Sequence, residues 1–121
     1  MAVILIVDDS PTELHLFKDM LEKGGFETLV ADNGEEGIRQ ASASRPDCIL
    51  MDVIMPGING FQATRKLTQD PRTSDIPVIM ITTKDQETDK IWGMRQGAVE
   101  YIVKPVEQQE LVAKINSVMV S

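Results

Sequence analysis

The chain has 121 residues, 12 of them Lys or Arg and 19 Asp or Glu, for a net charge of −7, and 42% of it is apolar. A chain of that size fits one domain that buries roughly two-thirds of its unfolded surface, so residues 1–121 are read as a single domain without an output module. The acidic balance disfavours nucleic acid and anionic membranes, no apolar run approaches the roughly 20 residues of a spanning helix, and no signal peptide precedes the first strand. These features predict a cytoplasmic protein whose partners are proteins or cations.

In chain order, the apolar run Val3–Val7 reads as a strand buried on both faces and ends in Asp8-Asp9. Ser10-Pro11-Thr12-Glu13 then opens a helix with an N-cap, a first-turn proline and an acid, and Gly24-Gly25 stops it. A second strand, Thr28–Ala31, precedes a helix opened by Asn33-Gly34-Glu35-Glu36 and stopped at Arg45-Pro46. The third strand, Cys48–Met51, ends in Asp52, and Met55-Pro56-Gly57 reads as a turn before a helix that stops at Asp70-Pro71. The fourth strand, Val78–Ile81, ends in Thr82-Thr83, and either hydroxyl could face the strand ends. In the fourth helix Ile91 and Met94 form the apolar stripe, which places Trp92 off it, toward solvent, where an aromatic marks a contact surface. After Gly97 comes a fifth strand, Tyr101–Val103, ending in Lys104-Pro105, and a last helix over about Gln108 to Val120.

Five strands alternating with five helices imply right-handed βαβ units, a parallel sheet and helices on both its faces. The expected fold is therefore a three-layer, doubly wound α/β domain. Cys48 has no partner for a disulfide or a thiolate metal site and reads as a small buried hydrophobe. His15 reads as a surface residue of the first helix, and the methionines as packing.

Ligands of such sheets bind beyond the carboxyl ends of the strands. That rim collects Asp8, Asp9, Asp52, a threonine hydroxyl and Lys104. No glycine follows the first strand to let backbone N–H groups approach a phosphate, which excludes a nucleotide cradle. Three neighbouring carboxylates repel one another unless a cation joins them, and hard oxygen donors on an open rim suit Mg²⁺. A metal and Lys104 on either side of Asp52, with a hydroxyl from Thr82, suit phosphoryl transfer to a carboxylate, which makes Asp52 the candidate nucleophile.

Taken together, Asp8-Asp9, Asp52-Val-Ile-Met-Pro-Gly-Ile-Asn-Gly60, Thr82, Gly97-Ala98, Tyr101 and Lys104-Pro105 resemble the receiver domain of two-component response regulators, over essentially the whole chain. The resemblance implies a CheY-like, flavodoxin-like strand order of 2-1-3-4-5, Asp52 as phosphoacceptor from a sensor histidine kinase, and Mg²⁺ held by Asp9, Asp52 and the Ile54 carbonyl. It implies further that Asp8 acts through metal-bound water, that Lys104 contacts the phosphoryl group, that Lys104-Pro105 is cis, and that Thr82 and Tyr101 form a switch pair. Family register favours Thr82 over Thr83.

More narrowly, Asp9-Ser-Pro-Thr-Glu13, Gly60-Phe-Gln-Ala-Thr-Arg65 and Thr82-Thr-Lys-Asp-Gln-Glu-Thr-Asp-Lys90 are similar to stand-alone regulators of the PilH type. That implies a CheA-like kinase, chemotaxis-like control of type IV pilus motility, including phototactic systems, and a monomer that catalyses only its own phosphorylation and dephosphorylation. Output then leaves by the face of the fourth helix, fifth strand and fifth helix, where Lys84, Lys90, Trp92 and Tyr101 are expected to cluster. Ile54 and Lys84 depart from the chemotaxis pattern and should flank the water that hydrolyses the phosphoryl bond.

The alternative is a Mg²⁺-dependent phosphatase with an aspartyl-phosphate intermediate. Such enzymes carry a second acid two residues after the nucleophile, where this chain has Ile54, and a cap for which 121 residues leave no length. Flavin binding fails for want of a phosphate loop and of aromatics, at 4% of residues.

Overall fold

The computed structural model describes residues 1–119. Its elements alternate without exception: β1 (Val3–Val7), α1 (Pro11–Lys23), β2 (Glu27–Ala31), α2 (Gly34–Ser44), β3 (Cys48–Met51), α3 (Gly60–Gln69), β4 (Val78–Thr82), α4 (Glu87–Arg95), β5 (Glu100–Val103) and α5 (Gln108–Met119). The five strands form one parallel sheet in the order β2-β1-β3-β4-β5. The expected end of the last helix, Val120, lies outside the described residues.

Unbroken apolar runs form the central strands because both faces of the sheet are covered, and the pleat divides each run between two cores. Ile4, Ile6, Cys48, Leu50, Ile79 and Ile81 pack with Phe17 and Leu21 of α1 and Leu111 and Ile115 of α5. Leu5, Val7, Ile49, Met51, Val78 and Met80 face the other way, onto Ala41 of α2 and Phe61, Ala63 and Leu67 of α3. Cys48 is fully buried, and burial pushes its thiol up to about 12, so it packs as an inert hydrophobe.

The helix boundaries follow from caps. The Ser10 hydroxyl accepts from the Glu13 N–H at 3.3 Å, Asn33 does the same for Glu36 at 2.8 Å, and Asn59 and Gln62 form a reciprocal capping box. Arg45, with φ 47° and ψ 63°, ends α2 in the left-handed conformation, and Pro46 follows it.

One expectation fails in α4. Ile91 and Met94 are not its core stripe: they are 47% and 46% exposed, much as Trp92 is at 48%. The inward side of α4 is Gly93 instead, where an added Cβ would lie 2.8 Å from the Met80 sulfur and 3.0 Å from the Tyr101 ring. The helix packs so close to the sheet that no larger side chain fits beneath it. No helix among the described residues is long and apolar enough to cross a membrane.

Candidate functional site

The last backbone hydrogen bonds of the sheet set the site. Asp8 N–H donates to the Ala31 carbonyl at 3.1 Å, Asp52 N–H to the Val7 carbonyl at 3.0 Å, and Lys104 N–H to the Thr82 carbonyl at 2.8 Å. Each functional residue is thus the one immediately beyond a strand, still held by the neighbouring strand. Its backbone cannot drift, and the side chain projects from a rigid edge.

Asp8 and Asp52 are buried, and Asp9 is exposed. One oxygen from each of the three carboxylates lies within 4.8 Å of the others. Asp8 Oδ1 accepts from the Ser10 N–H at 2.9 Å, which leaves Oδ2 for Lys104 Nζ at 3.0 Å. The same ammonium lies 3.6 Å from Glu13 Oε1 and 3.9 Å from Asp52 Oδ2, and 5.5 Å from the centroid of the Phe17 ring. Lys104 stands immediately before Pro105, and the peptide bond between them is cis, as expected.

Burial holds the Asp52 carboxyl above its ordinary value, and repulsion from Asp8 adds to this, against the opposing pull of Lys104 and of the Val53 and Ile54 N–H groups. Burial would lower Lys104, but its hydrogen bond to Asp8 and the charges of Asp52 and Glu13 outweigh that and raise it. Lys104 contacts two of the three clustered acids, and Asp9 makes no ion pair among the described residues. The donor set is all carboxylate oxygen with negative charge in excess, which fits a hard divalent cation and no soft one.

The pleat resolves Thr82 from Thr83. Thr82 shares the side of Met80 and Tyr101, is fully buried, and its Oγ1 accepts from the Lys84 N–H at 3.3 Å. Thr83 points to the opposite side, into an apolar groove with Leu16, Phe17 and Pro105. The Tyr101 ring is tucked under α4, and its hydroxyl donates to the Lys84 carbonyl at 2.9 Å. Burial first, then the charges of Asp89, Asp52 and Asp85, push that phenol up to about 12. Ile54, at 56% exposure, and Lys84 line one surface hollow with Val53 and Phe61.

The expected cluster of four output residues divides. Lys84 and Tyr101 are joined by the hydrogen bond above. Lys90 lies on the flank of α4 that carries Glu87, Ile91 and Met94, whereas Trp92 lies on the opposite flank, against Arg65 and Thr68 of α3. A helix turns 100° per residue, so neighbouring exposed side chains need not share a face. Glu13 is a helix-start acid in the sequence, and its position three residues beyond a capping serine, one turn from Asp9, also brings it to Lys104.

Residues 4–116 match the family model described as response regulator receiver domain. The chain is 59% identical over 119 residues to the protein PilH of Pseudomonas aeruginosa, covering 98% of each. Among solved structures, the Vibrio cholerae chemotaxis protein CheY4 superposes with a TM-score of 0.92 at 30% identity, covering 98% of both chains. The receiver domain of the sensor histidine kinase PA1611 of Pseudomonas aeruginosa, solved with a magnesium ion coordinated in its active site cleft, does so at 0.92 with 28% identity, covering 99% of this chain and 98% of that one. With the acid triad, the buried threonine and the lysine at the ends of a 2-1-3-4-5 sheet, the match over nearly the whole length establishes that this chain belongs to the response regulator receiver family.

Proposed function

We propose that a histidine kinase transfers a phosphoryl group to Asp52 with Mg²⁺ bound, and that the modification alters the surface of α4, β5 and α5 that a downstream protein reads. The observation that supports this most is the setting of Asp52: buried at the end of β3, with two further acids beside it and Lys104 Nζ at 3.9 Å. An Asp52 oxygen attacks phosphorus, and an O–P bond forms as the N–P bond of the kinase phosphohistidine breaks.

Asp8, Asp9, Asp52 and the Ile54 carbonyl would hold Mg²⁺, which when bound supplies positive charge to the phosphoryl oxygens. Lys104 moves from Asp8 and Glu13 toward the new charge, a short path from its present position. The Thr82 hydroxyl exchanges its weak 3.3 Å contact with the Lys84 N–H for a phosphoryl oxygen. That frees the backbone of Lys84, whose carbonyl is the partner of Tyr101. The switch therefore runs from Asp52 through Thr82 and residue 84 to the Tyr101 ring and α4.

In this reading the chain is no enzyme toward other substrates, since it catalyses only its own phosphorylation and dephosphorylation. The likeness to PilH supports a CheA-like kinase and a place in chemotaxis-like control of type IV pilus motility, for a monomer in the cytoplasm. Intact mass after acetyl phosphate and Mg²⁺ tests the chemistry. A single phosphoryl adduct on the wild type and none on Asp52→Asn is the expected result, and a full adduct on the variant rules out Asp52 as acceptor.

A further inference from the structure

Between the C-terminal halves of α3 and α4 runs a surface groove of about 380 Å³ that contains none of Asp8, Asp9, Asp52, Thr82 and Lys104. Trp92 lines it, 48% exposed, together with Arg65 and Arg95. No acid lines the groove, in a chain with 19 acids and 12 bases. Arg39, Arg45 and Arg72 each meet a carboxylate, whereas Arg65 and Arg95 make no ion pair among the described residues. The groove thus carries two uncompensated positive charges on a protein of net charge −7.

Its floor is rigid. Thr68 Oγ1 donates to the Gln96 carbonyl at 2.6 Å, Gln96 Nε2 donates to the Trp92 carbonyl at 3.2 Å, and Gly97, at φ +107°, lies so close to Thr68 that an added Cβ would meet it at 2.7 Å. An indole and two arginines lining one groove over a hydrogen-bonded floor have the chemistry of an anchor site: apolar contact from the indole, and planar forks matched to carboxylates.

We propose that this groove docks an acidic segment of a partner protein, with an aliphatic or aromatic side chain on Trp92 and carboxylates on Arg65 and Arg95. Charge complementarity selects this occupant. Both helices present their C-terminal ends here, and the partial negative charge of those ends opposes the concentrated charge of a phosphate group, while carboxylates spaced along a peptide meet the two forks separately.

Trp92 is the sole tryptophan, so its emission reports on this groove alone. Purified protein is titrated with short synthetic peptides bearing glutamates on either side of one Leu or Phe, with the same peptides carrying Lys for Glu, and with ATP. The expected result is a saturable change in Trp92 emission with the acidic peptides only. It should weaken about tenfold or more in the double variant Arg65→Glu, Arg95→Glu, and stay unchanged in Lys23→Glu, on α1, which packs against the other face of the sheet. Circular dichroism confirms that each variant is folded, and single replacements by Gln replace the double variant if it is not. Absence of saturation with every acidic peptide, equal affinity for the lysine peptides, tighter binding of ATP, or wild-type affinity in the arginine variants would each overturn the proposal.

Discussion

Replacing Gly60 by Ala tests whether the backbone behind Asp52 is as closely packed as the structure requires. Gly60 opens α3, and its N–H donates to the Val53 carbonyl at 2.9 Å, which draws the helix start against the end of β3. A Cβ at Gly60 would lie 2.0 Å from the Asp52 carbonyl oxygen and 2.8 Å from both the Asp52 carbonyl carbon and the Val53 Cα. Separations under 3.0 Å are essentially never seen for a real Cβ, so something must move by 1.0 Å or more. All three neighbours are backbone, and no rotamer change relieves the clash. Overpacking of this kind costs about 2–3 kcal/mol. The displaced group carries Asp52, and a misplacement of about 1 Å at a reacting carboxylate slows its chemistry about 100-fold. Urea unfolding followed by circular dichroism reads the first effect, and the initial rate of adduct formation with acetyl phosphate and Mg²⁺ reads the second. A Gly60→Ala protein with the wild-type urea midpoint would refute the packing argument, and one that is destabilised yet phosphorylated at the wild-type rate would refute the coupling of that packing to Asp52.

Mg²⁺ should raise the melting temperature at neutral pH by joining Asp8, Asp9 and Asp52, with a gain of about 1.4 kcal/mol at ten times its dissociation constant. Asp9→Asn should supply part of that gain without metal and lose the metal dependence; a melting curve indifferent to Mg²⁺ up to tens of millimolar would count against the site. Ile54→Asn should speed loss of the phosphoryl group about fivefold, the equivalent of one hydrogen bond of about 1 kcal/mol to the attacking water, and an unchanged decay would remove Ile54 from that role. Tyr101 is the sole tyrosine, and its tyrosinate absorbance should titrate near 12 rather than 10. Because the folded value is raised, the stabilisation from the protonated phenol is fully present below pH 10 and lost as pH rises through about 12. Tyr101→Phe should therefore be less stable than wild type by about 1 kcal/mol at pH 8 for want of the bond to the Lys84 carbonyl, and the difference should shrink toward pH 12.

The alternation of strands and helices was legible along the chain because each central strand is buried on both faces and the starts of α1 and α2 carry their own caps. The acids and the lysine were legible for a related reason: in a parallel sheet the residue after each strand lies on one rim, which Asp8, Asp52 and Lys104 therefore share, although the strand order decides which of them meet. Strand order 2-1-3-4-5 came only through the family resemblance, since local patterns do not say which strands pair.

Other features depended on partners that no local pattern names. Thr82 and Thr83 are alike in sequence, and only the pleat, with Met80 and Tyr101 on one side, turns Thr82 toward α4. Glu13 joined the site because α1 returns across the end of β1 beside Lys104, 91 positions later in the chain by their numbers. In α4 the apolar spacing of Ile91 and Met94 misled, because the helix sits on Gly93 at a distance that admits no side chain, and the apolar residues were left outside. Periodicity marks which residues recur on a helix. Which side turns inward is decided by the space the rest of the protein leaves for it.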